Sequence, residues 1–249
     1  MNLQEKHNTV TPYHIEGKTK KQEVAMMFNN ISPRYDLLNR VLSLGIDKLW
    51  RKKAVKILKR SQPEKILDIA TGTGDFAIEC LNADPISITG IDISTGMLDV
   101  GKKKITKLGY DHKIQLIEGD AESMPFTNNN FDAATVAFGV RNFEDLNKGL
   151  NEILRVLTPG GMIMILEFSK PSRFPFKQIY WFYFKYVLPL IGKIVSKDTS
   201  AYDYLPQSVQ TFPHSTEFLL ILKKCGFVQN TQKELTFGVA TIYTGIKPK

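Results

Sequence analysis

The chain has 249 residues, 43% of them apolar, and a formal charge of +8, enough for one domain with a sizeable core and a bias towards anionic surfaces. Two cysteines far apart and four scattered histidines argue against a disulfide framework and a metal centre, and point to a reducing, cytoplasmic setting. The polar, lysine-bearing N-terminus has no signal-peptide pattern, and the most apolar stretch, 178–192, contains Lys185 and Pro189 and falls short of the ~20 residues that span a bilayer.

In chain order, residues 1–22 are polar and end in the basic run 18–21, which reads as a mobile arm. The single domain then covers 23–249. Residues 23–60 carry helical periodicity broken near Pro33 and Gly45, a cap of short helices. A regular alternation follows: strand 65–70, helix 75–82, strand 87–92, helix 95–108, strand 113–118, strand 132–138, helix 143–157 and strand 161–168. Such alternation predicts an α/β fold with a parallel sheet covered on both faces. In the last helix Leu146, Leu150, Ile153, Leu154 and Leu157 recur at helical spacing until Pro159-Gly160-Gly161 stops the run. An insertion at 170–214 interrupts the alternation, and helix 215–225 with strands 227–233 and 238–246 closes the sheet.

The strand at 65–70 contains Asp68 and runs into the turn Gly72-Thr73-Gly74; the next two strands end near Asp92 and Asp120, with Ala121 following. Gly72 to Ala77 satisfies the GxGxxA pattern of dinucleotide sites, with an acid on the following strand. The acids turn that reading around. Carboxylates at three strand tips repel a diphosphate, whereas they suit S-adenosylmethionine, with its sulfonium and ammonium charges. Asp92 is then the acceptor for a ribose diol, and Asp120 and Ala121 face the adenine. Taken singly, each acid is as readily a solvated strand end or a helix cap.

Three further segments carry a resemblance. YDLLNRVLSLGIDKLW at 35–50, FGVRN at 138–142 and RVLTPGG at 155–161 continuing to LEFS at 166–169 resemble the signatures of the ubiquinone/menaquinone biosynthesis C-methyltransferases, from about residue 28 to the C-terminus. The resemblance implies a class I, Rossmann-like methyltransferase with a seven-stranded sheet, methylating a ring carbon of a polyprenyl quinol. Its expected acceptor is demethylmenaquinol; the alternatives are a benzoquinol of ubiquinone synthesis and a non-catalytic scaffold of a quinone-synthesis assembly. By position, Thr73, Asp92, Asp120 and Ala121 would contact the cofactor, joined from the turn by Asp68, Gly72 and Gly74. Four positions depart from the pattern: Asp47 where many members have histidine, Thr158 where lysine is usual, Ala70 where related enzymes have glycine, and Ala137 where some have serine.

Ring methylation needs an electron-rich quinol, with carbon, methyl and sulfur held in line and the developing phenolate stabilised. Arg141, at the carboxyl edge of the sheet, is the candidate for that stabilisation; as a surface residue it would pair with Glu144 or Asp145. Tyr35 is a second catalytic candidate, with packing in the cap as its alternative. Asn142 and Tyr202 are candidates for the substrate, Asn142 also for the cap of the following helix, and Tyr204 and His214 are weaker ones. Residues 168–197 hold six lysines and arginines, no acid after Phe168, and eight interleaved aromatics from Phe174 to Tyr186. That composition suits the headgroup region of the inner membrane face, as well as a core helix with solvated lysines. A nucleic-acid partner is not expected, there being no NPPY-type element. A homodimer is carried as an open alternative.

Overall fold

The computed structural model describes residues 10–187 and 200–249. Ahead of the sheet lie α1 (Lys20–Ile31), α2 (Tyr35–Ser43) and α3 (Ile46–Leu58). The alternation then runs β1 (Lys65–Ile69), α4 (Asp75–Cys80), β2 (Ser87–Asp92), α5 (Thr95–Leu108), β3 (Ile114–Glu118), β4 (Phe131–Ala137), α6 (Leu146–Val156) and β5 (Leu157–Phe168). After it come α7 (Phe176–Phe182), α8 (Ser200–Thr211), α9 (Thr216–Lys224), β6 (Val228–Leu235) and β7 (Ala240–Ile246).

The seven strands form one sheet in the order β3-β2-β1-β4-β5-β7-β6. β1 to β5 are parallel; β7 runs antiparallel to both β5 and β6. The order reverses direction between β1 and β4, the crevice where ligands bind in open α/β sheets. The central strands read as apolar runs because both faces are buried. On one face Leu67, Ile69, Ala134 and Val136 pack with α6 and α9; on the other Ile66, Ala133 and Met164 pack with Trp50, Phe76 and Ile105.

The helix ends follow local chemistry. α5 is capped by the Ser94 hydroxyl, which accepts from the Met97 amide, and ends at left-handed Gly109. α6 begins at Leu146 rather than at 143, because a 3-10 turn, Val140–Asn142, intervenes. Its cap is Asp145, which accepts from the Lys148 amide. Asn142 is therefore not the cap of that helix.

Within the expected N-terminal arm, residues 10–22 are described and are tied to the start of α1. The Glu23 carboxylate, 1% exposed, accepts the amides of Tyr13, His14 and Ile15 at 2.7, 2.9 and 2.8 Å. Thr19 and Gln22 form a reciprocal capping box that starts α1 at Lys20. The polar composition concealed this, because one carboxylate and a helix cap hold the segment where a reading of apolar periodicity finds nothing. The expected arm at 1–9 lies outside the described residues, as do residues 188–199 of the insertion.

Candidate active site

Two turns meet at the carboxyl edge of the sheet. After β1 the chain passes through Ala70, Gly72 and Gly74, with φ of +52°, +57° and +78°. After β4 it passes through Phe138 at φ +58° and then Gly139. A Cβ on Gly139 would stand 2.5 Å from the Ala70 Cβ, so the two turns touch only because residue 139 is glycine. Left-handed backbone costs a residue with a Cβ about 1–2 kcal/mol, a cost that Ala70 carries and Gly72 and Gly74 do not.

A cleft opens beside these turns, lined by Gly72, Asp92, Asp120 and Ala121 among others. Its charged lining is Lys21 against Asp92, Asp120, Glu122 and Glu144. Asp92 accepts the Gly72 and Ser94 amides, each at 2.8 Å. Burial pushes its carboxyl up to about 6, against those amide hydrogen bonds. Asp120 is engaged by Lys21, whose ammonium donates to Asp120 at 2.6 Å and to Glu122 at 3.0 Å. An acid excess with a glycine turn fits a ligand that carries positive charge and a diol, and disfavours a diphosphate.

Three residues expected at the cofactor stand behind the wall of the cleft. Asp68 is 1% exposed and accepts the hydroxyls of Thr71 at 2.6 Å and Thr135 at 2.7 Å. Burial raises its carboxyl to about 6, opposed by those two hydroxyls. Thr73 turns its hydroxyl to Asp36 at 2.6 Å and accepts from Lys104 at 3.0 Å. Gly74 faces Ile105 and Leu116. These residues shape the turn; Gly72, Asp92, Asp120 and Ala121 form its surface.

Beside the cleft lies a second, larger chamber, walled mostly by apolar side chains from α1, α2, α3, α7, α8 and the ends of β4 and β5. Phe28, Tyr35 and Phe138 line both spaces. Arg141 lies on the chamber wall, 7% exposed, with Nη1 donating to Glu167 at 2.8 Å and to the Phe138 carbonyl. Its partner is therefore the fully buried Glu167, not Glu144 or Asp145. The Arg141 Nε is buried without an acceptor among the described residues, and its guanidinium carbon stands 5.5 Å from the centre of the Phe168 ring. Burial raises the Tyr35 phenol, opposed by the charges of Arg141 and Arg51.

Asn142 lines the cofactor-side cleft rather than the chamber, and accepts the Tyr204 hydroxyl at 3.1 Å. Tyr204, 3% exposed, lines the chamber. Tyr202 lies in α8, its side chain outside what is described. His214 borders neither space, and burial lowers its imidazole. Sequence reasoning missed Lys21, which the basic run disguised. It also missed Asp47 and Arg51, whose i,i+4 spacing on one helix was the signal available.

Comparison with known proteins accords with this geometry. The sequence profile of the ubiE/COQ5 methyltransferase family matches residues 16–247. A demethylmenaquinone methyltransferase of Bacteroides fragilis is 50% identical over 239 residues, covering 96% of this chain and 97% of its own. A ubiquinone/menaquinone biosynthesis C-methyltransferase UbiE of Geotalea daltonii is 48% identical over 230 residues, covering 92% and 97%. In fold, the chain is similar to a SAM-dependent methyltransferase, possible histamine N-methyltransferase, of Thermotoga maritima. That match has a TM-score of 0.61 and 20% identity, covering 89% and 99% of the two chains.

Proposed function

The chain belongs to the ubiE/COQ5 methyltransferase family, and on that premise we propose that its two spaces hold S-adenosylmethionine and a polyprenyl naphthoquinol, demethylmenaquinol. The enzyme is a C-methyltransferase of quinone biosynthesis. The observation that carries the finer reading is the shared wall. An acid-lined cleft and an apolar chamber meet at Phe28, Tyr35 and Phe138, where a cofactor and a lipid ring can touch while their other parts remain in unlike surroundings.

On the cofactor side, Asp92 would accept from a ribose diol, and the Ala121 amide together with Asp120 would meet a heterocycle. Gly72 lets backbone approach. When bound, S-adenosylmethionine supplies an electrophilic methyl group on a positively charged sulfur. On the acceptor side, Arg141 is fixed by Glu167 and keeps Nε for an oxygen, so its permanent charge would stabilise a phenolate. Tyr35 and Phe138 would fix the ring plane, and the apolar wall would exclude water. Asn142, held by Tyr204, stands on the cofactor side and would orient the cofactor rather than the quinol.

The prenyl tail needs a route to lipid. α7 turns Ile179, Trp181 and Phe182 outward, each more than half exposed. Lys185 sits 4.5 Å from the Trp181 ring centre and 5.4 Å from that of Tyr186. Leu44 and Phe237, exposed at 82% and 64%, lie on the chamber wall, as does Ile179. Aromatic and basic side chains of this kind suit a transient berth on an anionic membrane face. No helix among the described residues is long and apolar enough to cross a membrane. Transfer of labelled methyl to reduced demethylmenaquinone, compared with a prenylated benzoquinol, tests the substrate; a benzoquinol turned over at least as fast would overturn the naphthoquinol reading.

A further inference from the structure

The chamber wall carries three charged side chains among the described residues: Arg141, Arg51 and Asp47. A guanidinium is permanently protonated and cannot accept a quinol proton. The tyrosines of the wall are equally unsuited, since burial raises the phenols of Tyr35, Tyr180, Tyr183 and Tyr204. Glu167 is fully buried, and its oxygens accept from Arg141 and the Phe168 amide. Asp47 is then the one carboxylate on that wall.

Its setting is built rather than incidental. Asp47 is 5% exposed; Oδ1 accepts the Ser43 hydroxyl at 2.6 Å and Oδ2 accepts Arg51 Nη1 at 3.0 Å. A carboxylate has about four acceptor sites, so two bonds leave capacity for a ligand hydroxyl. Arg51 Nη1 also reaches Asp75 at 3.2 Å, dividing its charge between two acids. The other charged groups packed against this network are Lys104, at 2.6 Å from both Asp75 and Asp36, and Arg40, whose charge bears on Asp75. The Arg51 charge also bears on the Tyr35 phenol. Asp47, Arg51 and Tyr35 line the same chamber.

We propose, resting on the quinol reading above, that Asp47 is the proton acceptor for the quinol hydroxyl, with Arg51 and Ser43 holding its carboxylate in place. The quinol O–H bond breaks, the proton passes to an Asp47 oxygen, and the electron pair stays on the ring oxygen. A free carboxylate is a weaker base than a phenolate. The transfer is favoured here by the Arg141 guanidinium on the same wall, which stabilises the phenolate. Once the ring carbon has gained its methyl, its hydrogen leaves to solvent as a proton. Asp47 then returns its own proton to the ring oxygen, so one proton is released per methyl transferred.

The test uses the full chain with a short-prenyl demethylmenaquinone kept reduced. Asp47→Asn should lower kcat by about 10²- to 10⁴-fold, the usual contribution of a positioned base, with KM for quinol and affinity for S-adenosylmethionine each within about threefold. Asp47→His should recover at least about tenfold of that loss and move the acidic limb of the kcat/KM profile up towards ~6.5. A redox-inert prenylated 1-naphthol gives a readout apart from turnover: bound to wild type its absorbance should be that of the naphtholate, and bound to Asp47→Asn that of the neutral naphthol. Asp47→Asn within about threefold of wild-type kcat, or an acidic limb unmoved in Asp47→His, overturns the proposal. Should Asp47→Asn not fold, the limb of Asp47→His decides alone. Absence of turnover by the wild type on any quinol would instead sink the substrate reading and is told apart by that control.

Discussion

The cleft and the chamber share three side chains and little else. The cleft is edged by backbone turns and carboxylates; the larger chamber is walled by side chains from five helices and the loops between elements. The cleft is made where two strand ends diverge, so its shape is fixed by local backbone. The chamber is made by packing separate helices over that edge. On the proposed function, one sheet edge would offer a polar place for a soluble cofactor and an apolar place for a lipid ring, with the reaction at their common wall.

The largest effect that would sharpen this division is at Arg141. Arg141→Ala should cut turnover by about 10²–10³, the size of losing one oxyanion-type donor, while leaving cofactor affinity within about threefold. It also strands Glu167, a buried unpaired acid worth about 3–5 kcal/mol of stability. The double variant Arg141→Ala/Glu167→Gln should regain most of that stability, read by denaturant unfolding, without regaining turnover. Turnover restored in the double variant would mean that Arg141 serves the fold alone.

On the cleft side, Asp92→Asn should weaken S-adenosylmethionine by about 10- to 100-fold, the cost of a hydrogen bond to a charged acceptor, with quinol-analogue binding unchanged by calorimetry. A parallel loss of quinol affinity would break the separation between the two spaces. Gly139→Ala tests the seam itself: a Cβ 2.5 Å from that of Ala70 forces the two turns apart, at about 1–3 kcal/mol, seen as a lower Tm.

A smaller effect comes from pH. Burial raises Asp68 and Asp92 to about 6, so between that value and the ordinary range near ~4 the cofactor-free folded chain holds protons that the unfolded chain lacks. Their contribution to stability is present at low pH and is lost as pH rises through about 6. A cationic cofactor favours the ionised acids, so its affinity should fall below pH 6 by up to about tenfold per unit for each acid it senses, and less steeply in Asp92→Asn. Lys20 acts in another window. Burial and the Arg141 charge lower its ammonium to about 7, so it withdraws stability as pH drops from about 10 towards 7 and adds no slope below. Smallest of all, Ala70→Gly removes left-handed strain at φ +52° and should stabilise by up to about 1 kcal/mol, part of the relief being offset by chain entropy.

How much of this was written in the sequence differs between the two spaces. Strand ends and glycines at 65–75 announced the cleft, because a turn of a few residues is decided by its own residues. The same local reading could not tell which way each side chain turns. Asp68 and Thr73 sit at the turn by number, but their side chains turn inward to Thr71, Thr135 and Asp36, and which side of a wall a side chain takes depends on packing from elsewhere. Arg141 was found through the FGVRN segment, yet its partner Glu167 lies 26 residues away, on the neighbouring strand end. The Lys21–Asp120 contact spans 99 residues. No periodicity encodes such a distance. The chamber was legible only as an aromatic, basic segment and a cap signature, because it exists only once α1, α2, α3, α7 and α8 are packed together.

The central claim is that a methyl group crosses the wall at Tyr35 from the acidic cleft to a reduced ring in the apolar chamber. Its most direct test is a single-turnover experiment with methyl-labelled S-adenosylmethionine and demethylmenaquinone, reduced in one arm and oxidised in the other. The label should appear on the ring carbon in the reduced arm alone, at a rate that collapses in Arg141→Ala. Label on the oxidised ring at an equal rate, or no ring label although both ligands bind, would contradict the account.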